Sequence, residues 1–260
     1  MYTEIDGYEI NYEITGQGEK TVVILQGWAT SVPVYRRMAA LLEEKYRVVR
    51  FDFPGFGASE EPREPWNVKA YTDFFIKFME ALGIREATLV GHSYGGRVIL
   101  KLAEYDRLPF TVERIVLVDA AGLVAEKTAA QKAKIRRYKL LKKIAYSKLV
   151  YDFFPDLVDD WQSRQGSDDY RNASPIMRQA LVMAVNEDLS HCLPKIPQDV
   201  LLIWGEEDDA VPLALAEKMD RLLPQSGLVV IKGAGHFPFL EQPEAFDRVF
   251  LRYFGLGEEK

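Results

Sequence analysis

The chain has 260 residues, 48% of them hydrophobic and 28% charged, which is enough apolar material for a sizeable core and excludes a disordered chain. Its formal charge of −6 argues against a general nucleic-acid binder, which carries a basic surplus over the whole domain. No apolar run approaches the roughly 18 residues of a membrane span.

The opening residues MYTEIDGYEI lack the basic and apolar regions of an export signal. The single cysteine, Cys192, can form no internal disulfide and fits a reducing compartment. The expectation is a cytoplasmic protein. Tyr2 to Asp6 and Tyr8 to Ile14 alternate apolar and polar side chains around Gly7, which predicts an amino-terminal hairpin with one solvated face. Thr21 to Gln26 and Arg47 to Asp52 are short runs rich in β-branched residues, separated by a helical pattern over Val34 to Lys45. With Ala87 to His92, Arg114 to Asp119, Val200 to Trp204 and Leu228 to Ile231 they predict an α/β fold of about eight strands, mostly parallel, with helices on both faces. Ligands of such sheets bind outside the carboxyl ends of the strands.

Residues 123 to 195 break the alternation and read as helices with almost no strand. They predict a helical cap inserted into a core made of 1 to 122 and 196 to 260. From Lys127 to Lys148 this segment carries Lys127, Lys132, Lys134, Arg136, Arg137, Lys139, Lys142, Lys143 and Lys148 and no acid; Asp152, Asp156, Asp159, Asp160, Asp168 and Asp169 follow. A solvated face partly neutralised by its neighbour accounts for the pattern. The sharper reading is a docking surface for an acidic partner, such as an acidic carrier protein or anionic lipid. Ile135, Tyr138, Leu141, Ile144 and Ala145 recur at helical spacing and are expected to pack onto the core.

Gly91-His92-Ser93-Tyr94-Gly95 joins the strand-like Ala87 to Val90 to the helix-like Val98 to Ala103 and fits a G-x-S-x-G elbow, in which a strained turn lifts the serine hydroxyl above the sheet. Side chains at Gly91 and Gly95 would collide across so tight a turn. Ser93 is the candidate nucleophile. A serine hydroxyl needs a base and a group that orients the base. His236, in GAGHFPFLEQP and ahead of a helix-like segment from Glu241, and Asp208, in WGEEDDAVP, each follow a buried-strand run. Asp209 and Asp119 are the alternatives for the acid. His92 reads as a core or hydrogen-bonded histidine, and His191 as structural.

With LQGWAT at 25 to 30 and FDFPGFGASE at 51 to 60, these motifs stand in an order that resembles the alpha/beta-hydrolase superfamily, in its serine-nucleophile branch with a helical cap. The resemblance implies a Ser93, Asp208, His236 triad and an oxyanion hole from the backbone amides of Trp28 and Tyr94, with no metal or organic cofactor. Gln26 departs from the family's usual histidine before the oxyanion-loop glycine. Asp52 and Ser59 are expected as turn formers. Candidate substrate-binding aromatics are Trp28, Tyr138, Phe153, Phe154 and Phe237. The implied activity is hydrolysis of a small to medium carboxylic ester. One rival is carbon-carbon bond hydrolysis of a vinylogous diketone, with Arg97 or the basic residues of the cap as candidates to hold a carboxylate. A triad-retaining ligand receptor is a rival of another class.

Overall fold

The computed structural model describes residues 1 to 124, 129 to 145 and 168 to 257. Eight strands form one sheet: β1 (Tyr2–Ile5), β2 (Tyr8–Thr15), β3 (Lys20–Leu25), β4 (Tyr46–Phe51), β5 (Glu86–His92), β6 (Thr111–Val118), β7 (Asp199–Gly205) and β8 (Ser226–Ile231). Their order across the sheet is β1-β2-β4-β3-β5-β6-β7-β8. The hairpin strands β1 and β2 pair antiparallel, β2 joins β4 antiparallel, and every later pairing is parallel.

The central strands read as unbroken apolar runs because both faces are covered. Val23, Leu25, Leu89, Leu202 and Trp204 enter one buried cluster with the aromatics of the helix Val68–Ala81. Val22, Ile24, Val90, Leu201 and Ile203 enter the other, with Tyr35, Phe246 and Phe250. The helix Val68–Ala81 begins where the Asn67 side chain accepts the Ala70 amide, and it buries Val68, Tyr71, Phe74, Phe75, Phe78 and Met79 at helical spacing.

Two elements depart from expectation. The helical pattern over Val34 to Lys45 condenses into a 3-10 turn, Val32–Tyr35, and a short helix, Arg36–Ala40. Pro33 starts the turn, which buries Val32 and Tyr35 and directs Tyr35 inward. The segment expected from Glu241 is two helices, Pro238–Glu241 and Pro243–Tyr253, each opened by a proline.

Between β6 and β7 the described residues are helical: Ala129–Ala145, Asp168–Asn172, Pro175–Asn186 and the 3-10 segment Ser190–Lys195. The segment's exit is fastened to its entry. Leu189 donates its amide to the Gly122 carbonyl at 2.9 Å, the Val124 amide donates to Asp188 at 3.0 Å, and Arg97 donates to the Glu187 carbonyl at 2.5 Å. Contrary to expectation, Leu141 and Ile144 are 45% and 50% exposed. Their helix shelters Tyr138 and Ala145, and at about 100° per residue Ile144 lies about 120° round from Tyr138. The side chain of Ile135 lies outside the described residues. Among the described residues no helix is long and apolar enough to cross a membrane.

Candidate active site

Ser93 follows β5 directly and stands at the N-cap of the helix Tyr94–Lys101. Its φ of 49° and ψ of −113° are a strained backbone for a residue with a side chain, a state that costs about 1 to 3 kcal/mol. The elbow is held from both sides: the Ser93 amide donates to the Val118 carbonyl, and the Ser93 carbonyl accepts from Gly96 and Ala121. A Cβ at Gly95 would stand 2.2 Å from the Leu25 carbonyl oxygen, and one at Gly91 2.7 Å from the Gly96 nitrogen, so neither position admits a side chain.

The loop after β8 brings the His236 Nε2 to 3.0 Å from the Ser93 Oγ. Its Nδ1 lies 2.8 Å from Asp208 Oδ2, on the loop after β7. An ionised carboxylate only accepts, so Nδ1 carries the proton and Nε2 faces the serine hydroxyl as an acceptor. Asp208, rather than Asp119 or the exposed Asp209, is therefore the partner of His236. Asp208 Oδ1 accepts the amides of Ala210 and Val211 at 2.8 and 2.9 Å. Burial opposes its charge, but the bonds from His236 and the Val211 amide outweigh that and hold its carboxyl below the usual carboxylate range. Asp119, at the end of β6, behaves oppositely: burial, reinforced by the charge of Asp208, pushes its carboxyl up to about 9 against the bond it accepts from Gly205.

His92 is a fully buried strut. Its Nε2 donates to the His236 carbonyl at 2.8 Å, which leaves Nδ1 to accept the Tyr35 hydroxyl at 2.9 Å. Tyr35 in turn accepts the Gly27 amide at 2.7 Å. Burial and then the neighbouring His236 lower the His92 pKa to about 3, so it stays neutral and ties the loop after β3 to the loop carrying His236. Glu241 braces that second loop, accepting the amides of Gly235 and Phe237. Spacing along the chain gives no sign of Tyr35, whose partner His92 is 57 residues away. The Glu241 brace is local, five residues from His236, but a glutamate in a helix's first turn reads as ordinary capping.

Gln26 donates from Nε2 to the Thr30 carbonyl at 2.7 Å and so braces the loop after β3, while its buried Oε1 has no partner among the described residues. The Trp28 ring packs edge-on against Tyr94 and Phe56, with centroids 5.2 and 4.8 Å apart. The amides of Trp28 and Tyr94 donate no hydrogen bond among the described residues. Asp52 fixes the neighbouring turn by accepting the Val32 and Ala58 amides, and Ser59 donates to the Asp52 carbonyl. Phe237 packs on His92 and His236. Tyr138 is half-buried in the helix Ala129–Ala145, whereas Phe153 and Phe154 lie outside the described residues. Arg97 is buried against the Glu187 carbonyl rather than set out to hold a substrate carboxylate.

Among the described residues two groups of side chains each gather potential metal-ligand atoms within 4.8 Å of one another: Asp119, Asp208 and His236 in one, and Glu104, His191 and Cys192 in the other. In the first, Asp208 and His236 already bond each other. In the second, the Lys101 ammonium sits on Glu104, and burial pushes the Cys192 thiol up to about 11. His191 itself bonds Glu104 at 2.9 Å.

The arrangement can pass a proton from a hydroxyl to an imidazole backed by a carboxylate, beside two free amides. The chain is 30% identical to 2-hydroxymuconate semialdehyde hydrolase of Pseudomonas putida over 94% of this chain and 89% of that protein. It superposes on an esterase from Exiguobacterium antarcticum with a TM-score of 0.74 and 25% identity, covering 96% and 97% of the two chains. It matches a meta-cleavage product hydrolase from Pseudomonas fluorescens with a TM-score of 0.69 and 25% identity, covering 96% and 95%. Residues 20 to 243 match the family described as the alpha/beta hydrolase fold, and the chain belongs to that family.

Proposed function

We propose that this alpha/beta hydrolase cleaves small to medium carboxylic esters by way of an acyl-enzyme. The observation that carries the reading is the unbroken chain from the Ser93 Oγ through His236 to Asp208, with links of 3.0 and 2.8 Å. Ser93 attacks the carbonyl carbon as Nε2 of His236 takes its proton, and the resulting imidazolium is stabilised by Asp208. The amides of Trp28 and Tyr94 receive the oxyanion; losing one such donor costs about 2.7 to 4 kcal/mol of barrier. His236 then protonates the departing alcohol. Water, activated by the same imidazole, clears the acyl group and restores the serine.

Residues 123 to 195 act as the cap over this site, on a core of 1 to 122 and 196 to 260. The fastening of Leu189 to Gly122 supports that division, since it closes the excursion at its base. Trp28, packed on Tyr94, and Phe237, packed on the His236 imidazole, give the pocket an apolar wall, to which Tyr138 contributes from the cap. The exposed, basic outer face of the helix Ala129–Ala145 suits an acidic partner.

Carbon-carbon bond hydrolysis is the second reading, favoured by the identity to the Pseudomonas putida enzyme. The same serine and histidine would serve it, with a cation other than Arg97 holding the carboxylate. A panel of short p-nitrophenyl esters run beside a 2-hydroxy-6-oxo-dienoate separates the two. Ester turnover that disappears in Ser93→Ala supports the first reading. Bleaching of the dienoate with no ester turnover replaces it by the second.

A further inference from the structure

Asp119 lies at the carboxyl rim, yet it takes no part in the chain from Ser93 to Asp208. It is fully buried, and its φ of 43° is in the left-handed region that a residue with a side chain adopts at a cost. Oδ1 accepts the Gly205 amide at 2.8 Å. Oδ2 is buried and accepts from no N–H or hydroxyl among the described residues, and it lies beside the Asp208 carboxyl. Oxygens of the two acids and a ring nitrogen of His236 lie within 4.8 Å of one another. Two ionised carboxylates do not share so small a site closed to water; one of them keeps a proton. The hydrogen bonds decide which. Asp208 accepts N–H donors from Ala210, Val211 and His236, whereas Asp119 accepts one, from Gly205. Asp208 is thus the anion. The proton stays on Asp119, with the neighbouring Asp208 carboxylate as its acceptor.

We propose that Asp119 is a neutral carboxylic acid whose O–H donates to Asp208 and aims that carboxylate at His236, making it a positioning residue of the triad. The role rests on the triad reading above; the protonation does not. When His236 takes the Ser93 proton, the acid pair then offers one negative charge to one imidazolium rather than two. The other titratable groups around the pair are His236, from the loop after β8, His92, which burial keeps neutral at the end of β5, and Glu241, whose carboxylate adds to the repulsion that keeps Asp119 protonated. Above about pH 9 the Asp119 proton leaves, the donor is lost and two carboxylates repel, so turnover falls.

Asparagine copies the protonated acid: its oxygen accepts from Gly205 and its NH2 donates to Asp208. Asp119→Asn should therefore keep turnover within about threefold of the wild type and lose the alkaline fall, while Asp119→Ala should lose about 30-fold or more. An ionised Asp119, whether structural or catalytic, predicts no such ranking, with Asn as damaging as Ala.

The deciding experiment is a set of thermal melts of the full chain, wild type against Asp119→Asn, from pH 5 to 9.5. Unfolded Asp119 is ionised at these pH values, but the folded protein must hold a proton there. Wild-type stability is therefore present in acid and is lost progressively as pH rises from about 4 towards 9, up to about tenfold in the folding constant per pH unit, whereas Asn carries no such loss. The Tm advantage of Asp119→Asn should widen by several degrees between pH 5 and about 9 and then level off. A gap that does not change with pH, or Asn and Ala equally slow, overturns the proposal. The melts need no substrate, so they succeed or fail independently of the hydrolase reading, which fails instead if a fluorophosphonate leaves wild-type Ser93 unmodified.

Discussion

The carboxyl rim of the sheet and the helical excursion between β6 and β7 differ in how much each side chain is constrained. At the rim, His236 is fixed at both ring nitrogens, and Asp208 accepts from both adjoining backbone and imidazole. The carbonyl of His236 is itself held by His92, which Tyr35 holds in turn. In the helix Ala129–Ala145, by contrast, Leu140, Leu141 and Ile144 stand 59%, 45% and 50% exposed. Reactivity demands positions fixed to a few tenths of an ångström, and the family's chemistry sits where the backbone supplies that fixity.

Substitutions at the two regions should differ by orders of magnitude. Ser93→Ala is expected to lower ester kcat by about 10⁴-fold or more, as removal of a nucleophile does, while leaving the Tm within a few degrees. Asp208→Asn follows with about 10³ to 10⁴-fold, because the amide no longer selects the Nδ1–H tautomer of His236. That variant also sharpens the pH argument. A carboxyl held below its usual range adds stability above about pH 4, and the stability is lost as pH falls through the lower folded value. Melts of Asp208→Asn in acid should accordingly show a smaller loss of Tm than the wild type.

His92→Ala removes the strut between the two loops and is expected to cost about 10-fold in kcat with little change in KM. Smallest is the double substitution Lys139→Glu with Lys143→Glu on the exposed face of the helix. Turnover of a short neutral ester should stay within about twofold and stability within about 0.5 kcal/mol. A large loss from this last pair would erase the contrast between the two regions.

The eight strands were legible because a sheet covered on both faces writes itself as uninterrupted apolar runs, as at Val200 to Trp204. The elbow was legible for a steric reason: Gly91 and Gly95 have no room for a Cβ. Tyr35 was not, since it looks like one more apolar residue in a helical pattern, and its value comes from partners brought near only by folding. The same holds for Asp119, which follows a strand as many aspartates do and gains its character from burial and from Asp208, on a different strand's loop. Leu141 and Ile144 were misread because helical spacing marks an apolar arc without saying how far round the helix is turned.

The account stands most directly on which atom reacts. Treating the full chain with a fluorophosphonate and mapping the adduct by mass spectrometry should place one phosphonyl group on the Ser93 Oγ, with labelling lost in Ser93→Ala and strongly slowed in His236→Ala. An adduct on another residue, or labelling of Ser93 that proceeds unchanged without His236, would contradict it.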